Sequence, residues 1–336
     1  MRVGLTLPHY DFSFGDGSGP ISFSRVAEVA VDAERLGFDS VWISDHFFAT
    51  LERYGGDDTP YGALEPLATL AGLAPLTERV RLGTLVLSAP FRHPAVLAKS
   101  ATAIDRLSGG RLELGLGAGW FEEEYRAFGY EFGSVGERFS VLEETLGYLG
   151  ALFDGEPASF EGDRFRMRDA FNHPRPLQEP RPPLLVGGKG GPRLLSIAAR
   201  YADGWNAVWR WTPESYAERA DTARRALERA DRDPSTFRLS LGLFTIVGED
   251  DADLRRRYEL IGERLPKGVG EALSLDTLRN ECLAGTPDQV VERMSRFAEI
   301  GVTELIVCPA PVWFAMPDPS MVEFFADAVL PRVREL

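Results

Sequence analysis

Short apolar runs alternate with amphipathic stretches from one end of the chain to the other, and the two periods can be read in turn. Val3–Leu7 predicts a strand. Ser22 stands at an N-cap position ahead of Phe23, Val26, Ala27, Ala30 and Ala33, which share a helical face, and Gly37 predicts the stop. Ser40–Ser44 predicts a second strand, Glu65–Leu76 a helix, Arg81–Leu87 a third strand and Pro94–Leu107 a helix. Leu112–Leu116 follows as a fourth strand. The next helix carries Phe139, Leu142, Leu146, Leu149 and Phe153 at three- and four-residue spacing. The second half repeats the theme, with strands at Leu184–Val186, Gly204–Ala207 and Leu239–Val247, a helix at Arg193–Tyr201, and another opened by Thr212-Pro213. Thr286-Pro287-Asp288-Gln289 has the form of a capping box whose helix runs to Gly301. A last strand at Glu304–Val307 and a last helix at Pro319–Val333 complete the pattern.

Eight strand–helix alternations with nearly all-apolar strands predict a parallel sheet buried on both faces. Eight is the number that closes a (β/α)8 TIM barrel, so the fold class expected is α/β of that kind. An open doubly wound sheet is the competing arrangement. Residues 1–336 read as one domain with two segments that break the rhythm, at about 154–183 and 249–283. The first is rich in Pro, Arg and Phe and predicts an inserted hairpin and loop. The second is charged and partly helical. Both are expected near the C-terminal face of the barrel or its flank, where either could form a lid.

Charge narrows the partners. The formal net charge is −14, which repels phosphate backbones and anionic lipid, so neither nucleic acid nor a membrane surface is expected as a partner. No stretch reaches the roughly 18 apolar residues of a membrane span. The first residues lack the apolar run of a signal peptide, and Cys282 and Cys308 suggest no disulfide framework. A cytoplasmic protein is the expectation.

In a barrel the chemistry lies where strands end and the following loops begin. After the second strand comes Ser44-Asp45-His46-Phe47-Phe48. His46 is placed there to move a proton near a ligand, and Asp45 to orient it or to bond a ligand ring nitrogen; a structural Asp–His pair is the alternative. After the fourth strand, Gly117, Ala118 and Gly119 would let a ligand approach the backbone, though a tight turn explains the glycines as well. After the fifth, Gly187, Gly188, Lys189, Gly190 and Gly191 open a helix, the form of an anion site with one of only three lysines in the chain. A plain glycine turn is the alternative. His9 also sits at a strand end, but no third histidine does, so no metal is expected. Glu122-Glu123-Glu124 reads as acidic residues favouring a helix N-terminus.

Taken together, these positions resemble the luciferase-like monooxygenase superfamily, in its branch of oxidoreductases dependent on coenzyme F420, a deazaflavin. The resemblance covers nearly the whole chain. It rests on Leu36 to Trp42, Ser44-Asp45-His46-Phe47, Arg81 to Thr84 through His93-Pro94, and Gly110-Arg111-Leu112 through Gly119-Trp120. It continues through Tyr125 to Gly129, Gly187-Gly188, Ala202 to Asn206, and Gly285 to Val290. It implies that His46 stands beside the reactive ring. It implies a non-prolyl cis peptide at Leu85-Val86 beneath that ring, with Gly117, Ala118 and Gly119 near the ring and its ribityl chain. The loop Gly187 to Gly191 would hold the phosphate. Two departures point away from sugar-phosphate oxidation: Thr50 and Trp120 stand where the sugar-phosphate dehydrogenases of the family carry Trp and Glu. Ala118 stands where bacterial luciferases carry a basic residue.

The expectation is therefore an oxidoreductase, a homodimer, transferring hydride between F420 and a small organic substrate with His46 as acid or base. The alternatives are a monooxygenase using reduced FMN and oxygen, and a barrel that binds a flavin without catalysis. Phe12, Phe14, Trp120, Trp209 and Trp211 are the aromatic candidates for an apolar pocket.

Overall fold

The computed structural model describes residues 1–15 and 19–336. Eight parallel strands close on themselves: β1 (Arg2–Thr6), β2 (Ser40–Ile43), β3 (Arg81–Thr84), β4 (Leu112–Gly117), β5 (Leu184–Gly187), β6 (Gly204–Trp209), β7 (Arg238–Val247) and β8 (Val302–Cys308). Each pairs with the next, and β8 returns to β1 through Val3 opposite Leu305 and Gly4 opposite Ile306. The barrel leaves no strand edge open between its members, and the run of buried apolar residues in every strand follows from having side chains on one face and helices on the other.

The helices start where their caps put them. Proline occupies the first turn at Pro66, Pro94, Pro192, Pro213, Pro287 and Pro319, where a missing N–H costs nothing. The Gln289 side chain accepts from the Thr286 N–H at 2.9 Å, the back half of a capping box. Ser22 does sit at an N-cap, but its hydroxyl bonds the Ser24 hydroxyl at 3.1 Å instead of a backbone N–H. Helix Pro94–Leu107 has the bounds its pattern predicts. Two others are shorter than their apolar spacing suggests. Glu65–Leu76 resolves into Pro66–Leu73 and a tighter turn at Ala74–Leu76, and Pro319–Val333 into Pro319–Ala328 and Leu330–Val333. In each case the break falls beside a proline (Pro75, Pro331), which cannot donate to the preceding turn.

The third strand is also not continuous. Arg81–Leu87 is interrupted by a cis Leu85–Val86 peptide and resumes at Leu87–Ser88, paired to the end of β4. A second non-prolyl cis peptide, Val208–Trp209, lies at the end of β6.

The floor of the barrel is ionic. Glu113 of β4 and Glu304 of β8 are fully buried among Arg2, Arg81 and Arg238. Arg2 reaches Glu113 at 3.0 Å and Glu304 at 3.2 Å, and Ser40 donates to Glu304 at 2.6 Å. Burial alone would raise Glu113; Arg238, Arg2 and Arg81 outweigh it and hold this carboxyl below its ordinary range. Burial and the neighbouring Glu113 push Glu304 up.

The two extra segments go to different places. Residues 154–183 contain the expected hairpin, Ala158–Glu161 with Arg166–Ala170. This segment climbs the outer flank, and its tip at Arg164 and Phe165 comes beside Pro90, Tyr130 and Phe132, in the loops that follow β3 and β4. It joins a helix to the following strand, a connection that must pass the N-terminal end of the barrel. Gln178 there accepts from Arg81 at 2.8 Å, while the Leu177 and Gln178 N–H groups donate to Asp105. The hairpin leans on the outer flank, with Phe160 against Tyr148 and Phe165 against His93. Residues 249–283, by contrast, follow the C-terminal end of β7 and lie over that face as helices Asp251–Arg264 and Leu275–Glu281. Arg264 donates there to the Pro317 carbonyl at 2.6 Å.

No helix among the described residues is long and apolar enough to cross a membrane.

Candidate active site

The strand ends bring His46 into a ring of aromatic side chains. Its imidazole lies 5.4 Å from the Trp313 ring, 5.7 Å from Trp120, 6.1 Å from Phe121 and 6.5 Å from Tyr10, between centroids. The His46 side chain is 11% exposed. Nδ1 meets a Glu124 carboxylate oxygen at 2.8 Å, and the other carboxylate oxygen accepts the Phe47 N–H at 3.0 Å. A carboxylate only accepts, so this contact puts the imidazole proton on Nδ1. Nε2 has no partner among the described residues and is the atom left for a ligand.

Glu124 is thus the orienting group, and the sequence pattern missed it. The run Glu122-Glu123-Glu124 does open a short helix, Glu122–Ala127, but its third member is buried and turned inward. The one signal available was spacing: Glu124 lies on the face shared with buried Tyr125 and not with exposed Arg126.

Asp45 does something else. Its two oxygens hold the Arg92 guanidinium at 2.5 and 2.9 Å, and one also accepts the Ser88 N–H at 2.9 Å. Asp45 therefore does not orient His46: its oxygens are turned to Arg92 and Ser88. It ties the end of β2 to the segment after β3 by a bidentate pair.

His9, the other strand-end histidine, is wholly buried and engaged at both nitrogens. Nδ1 donates to the Leu7 carbonyl at 2.9 Å, so Nε2 accepts from the Ser44 hydroxyl at 3.0 Å. Ser44 in turn accepts from Tyr10 at 2.5 Å. Burial drives His9 down to about 3, and drives the Tyr10 phenol well above its ordinary value, so the relay is neutral throughout.

The glycines around the mouth serve the protein before any ligand. Val86, beyond the cis peptide, wedges between β4 and β5. A Cβ on Gly187 would stand 2.6 Å from Val86 Cγ1, and one on Gly117 would stand 2.8 Å from Cγ2. Gly119 makes room for the Tyr125 hydroxyl, which bonds Ser88 at 2.5 Å. Only Ala118 of that trio presents a side chain, half-buried at the strand end.

The loop after β5 divides likewise. The Gly188 N–H is taken by the Asn206 carbonyl at 3.1 Å. The Lys189 side chain leaves the loop, with Nζ donating to the Val208 carbonyl at 3.1 Å over the Trp211 ring. Burial, then Arg53 and Arg210, lowers its ammonium below the ordinary lysine range. The N–H groups of Lys189, Gly190 and Gly191 have no acceptor among the described residues. They precede helix Pro192–Tyr201, and a Cβ on Gly191 would meet nothing within 4 Å. Open space, free N–H groups and the positive end of a helix fit a phosphate.

Of the other aromatic candidates, Phe12 stacks on Tyr10 at 5.1 Å and belongs to the ring. Phe14 instead carries the Arg25 guanidinium, 3.7 Å over its face. Trp209 stacks on Phe244, and Trp211 packs with Trp205 and Tyr216 behind β6.

A luciferase-like monooxygenase model matches residues 1–304. The chain belongs to this family. Among its relatives, the F420-dependent hydroxymycolic acid dehydrogenase of Mycobacterium tuberculosis is 32% identical over 99% of this chain and 88% of that one. The F420-dependent glucose-6-phosphate dehydrogenase of Amycolatopsis mediterranei is 28% identical over 93% of this chain and 95% of that one. A solved F420-dependent secondary alcohol dehydrogenase, in complex with an F420–acetone adduct, superposes with a TM-score of 0.79 over 99% of both chains at 22% identity. Within this luciferase-like monooxygenase fold, the residues gathered at the strand ends occupy the face where barrel enzymes do their chemistry.

Proposed function

We propose that the protein is an F420-dependent oxidoreductase acting on a small organic substrate, with His46 as its acid–base group. The observation that carries this reading is the His46–Glu124 pair, which fixes the imidazole tautomer and leaves a basic Nε2 in an aromatic pocket at the strand ends. The names of the relatives support the choice of cofactor. Bound F420 supplies a two-electron hydride acceptor or donor, which is the chemistry an imidazole complements by moving the accompanying proton.

The residues present fit that group. The N–H groups of Lys189, Gly190 and Gly191, with the start of helix Pro192–Tyr201, would hold its phosphate. The cis segment Leu85–Val86 and Ala118 would border its ring. Lys189 contributes through its backbone in this reading, since its side chain is bonded to Val208. For an alcohol substrate, His46 Nε2 accepts the hydroxyl proton as the carbonyl forms, while Glu124 keeps Nδ1–H in place. For a carbonyl substrate the proton moves the other way. The buried rings of Tyr10, Phe12 and Trp313 exclude water on one side of that proton transfer, with Trp120 at the exposed rim. Trp120 and Thr50 at the rim are the positions that argue against a sugar phosphate, and Thr50 is turned to Glu123 at 3.4 Å.

Titration of the purified protein with F420 and, separately, with FMN tests the assignment. The expected result is tighter binding of F420, and F420 reduction by some member of an alcohol panel that His46→Ala abolishes without a comparable loss of cofactor affinity. Tighter binding of FMN overturns the choice of cofactor, and full turnover in His46→Ala overturns the role of His46.

A further inference from the structure

The aromatic rings do not stop at the shell around His46. They continue from its imidazole outward over the rim of the barrel, each ring against the one before: Phe121 at 6.1 Å, Phe48 at 5.6 Å, Phe128 at 6.3 Å, Phe47 at 4.4 Å and Tyr130 at 5.8 Å. Trp120 flanks the inner end, 5.3 Å from Phe121 and 5.7 Å from His46. The loop after β2 supplies Phe47 and Phe48, and the residues on either side of helix Glu122–Ala127 supply the others. Beyond Tyr130 the surface turns charged, because the cleft this ring lines also holds Glu131, Glu137, Arg138 and Arg164. The apolar run therefore has two ends, one at His46 and one at Tyr130.

Much of this run is open to solvent. Trp120 is 44% exposed and Phe128 56%; Phe47, Phe48 and Tyr130 are half-buried, and Phe121 is covered. Apolar side chains exposed singly are ordinary, whereas a contiguous exposed run with polar flanks marks a binding surface. Phe171, 60% exposed, is of the first kind, and its ring touches only His173 among the described residues. The run from Trp120 to Tyr130 is of the second kind. Its flanks are polar: Glu122 pairs with Arg126 at 2.7 Å, Glu123 accepts the Thr50 hydroxyl at 3.4 Å, and the Arg53 guanidinium lies over Trp120 at 5.2 Å. The run itself offers no charge, and its one hydroxyl, on Tyr130, is given to the Phe91 carbonyl at 3.3 Å. What covers it is therefore neutral hydrocarbon. A compact substrate would stay in the His46 shell and leave these rings bare, whereas a chain reaching His46 with one end covers them along its length. An anionic lipid surface is repelled by the net charge of −14.

We infer that this run of rings is the track for the substrate's tail. The substrate is then an alcohol or ketone whose functional carbon lies at His46 and whose long, unbranched hydrocarbon chain passes over Phe121, Phe48 and Phe128 toward Tyr130. The inference rests on the reading of His46 as the acid–base group of an F420-dependent oxidoreductase, and it names the class of substrate for that group. Phe128 is the specificity-determining residue of the track. It stands beyond the shell, so a short chain does not reach it and a long one does.

A homologous series of ketones tests this: methyl ethyl, methyl pentyl, methyl octyl and methyl undecyl ketone, which share one reacting group and differ in chain length. Cofactor binding is measured first, through the F420 absorbance, so that failure of the cofactor reading is seen apart from any result with the ketones. Dissociation constants are then measured by tryptophan fluorescence on the F420-loaded wild type, Phe128→Ser, Phe128→Leu and Phe171→Ser. In the wild type each added methylene should tighten binding by about twofold, the worth of a half-buried methylene, up to the longest ketone. Phe128→Ser should bind F420 and methyl ethyl ketone as the wild type does and lose about three- to tenfold on methyl undecyl ketone. Phe128→Leu, which stays apolar, should keep most of that affinity, and Phe171→Ser all of it. A wild-type affinity that stops rising at methyl pentyl ketone overturns the proposal. So does an equal loss on short and long ketones in Phe128→Ser, or a loss on the long ketone in Phe171→Ser. The same proteins are sedimented alone and with phosphatidylcholine vesicles, and no difference between wild type and Phe128→Ser is expected. An altered oligomeric mass in Phe128→Ser gives this face to a second copy of the chain, and vesicle binding that Phe128→Ser abolishes gives it to a bilayer; either overturns the proposal.

Discussion

Glu124 sets which nitrogen of His46 is basic, and the choice rests on one atom. Replaced by glutamine, the side chain gains an NH2 where it had an acceptor. Either the Phe47 N–H loses its partner or the imidazole must turn its lone pair to the amide, moving the proton to Nε2. Glu124→Gln is therefore expected to lower turnover by about 10²-fold, within the range of general acid–base effects, while F420 affinity stays within about threefold. A single-turnover measurement decides it, and a rate near wild type would leave Glu124 as packing alone. His9 carries a second expectation. Its folded value, about 3, lies below the ordinary 6.5, so below pH 6.5 the unfolded chain binds a proton that the folded one refuses. Stability is then complete above pH 6.5 and falls by about 1.4 kcal/mol per pH unit as acid is added toward 3. Urea unfolding at several pH values should show a shallower slope in His9→Gln than in the wild type; equal slopes would assign the acid sensitivity to other groups. His46 was legible because it stands three residues past the end of β2, in the kind of loop where a barrel places its chemistry. The partners of Asp45 and His46 were not. Arg92 and Glu124 lie 47 and 78 residues away, and nothing local distinguishes a carboxylate facing solvent from one facing an imidazole.

At the scale of elements, the fit of β3, β4 and β5 turns on Val86. Gly187→Ala places a methyl 2.6 Å from Val86 Cγ1, too close for either to stay. Overpacking of this kind costs about 1–3 kcal/mol. Val86→Ala removes two methyl groups and should cost about 1–2 kcal/mol. The double variant should be less destabilised than the sum of the singles by at least about 0.5 kcal/mol, since the new methyl fills the space Val86 vacates. Strict additivity in urea titrations would mean that Gly187 is constrained by something other than Val86. The strands and helices themselves were readable from period and caps, because apolar spacing is what packs the barrel against its shell. What the periodicity concealed is instructive in the same place. Arg81–Leu87 is mostly apolar after its first residue, with Thr84 its one polar side chain, and looks like one strand; the interruption at Leu85–Val86 came into view only through likeness to a family. At Gly117 and Gly187 the sequence did not show that Val86 fills the space a side chain would take, because a missing side chain reads the same whichever neighbour occupies its place.

The whole molecule separates its two ends. The floor holds Glu113 and Glu304 among three arginines, and the mouth holds the aromatic shell. Glu113→Gln leaves Arg2, Arg81 and Arg238 facing one another with a single carboxyl between them, so a loss of about 3–5 kcal/mol is expected. Turnover per folded molecule should not change, because stability in a barrel resides at this end and chemistry at the other. Denaturant midpoints and active-site titration on the same samples check both halves; a stable but slow variant would contradict the separation. The barrel was legible from eight alternations, whereas the destination of residues 154–183 was not, since a hairpin reads alike wherever it docks. Where it docks has a practical consequence. Its tip, turned by the Gly162 N–H to the Phe165 carbonyl at 3.0 Å, projects Asp163 into solvent from the flank. A peptide tag spliced in after Asp163 would moor the enzyme to a bead or electrode by its flank. Immobilised this way it should keep its turnover to within about twofold, since exposed loop tips accept such insertions. A larger loss on the bead than in solution would mean that the hairpin is coupled to the barrel more tightly than its lean against Tyr148 and His93 implies.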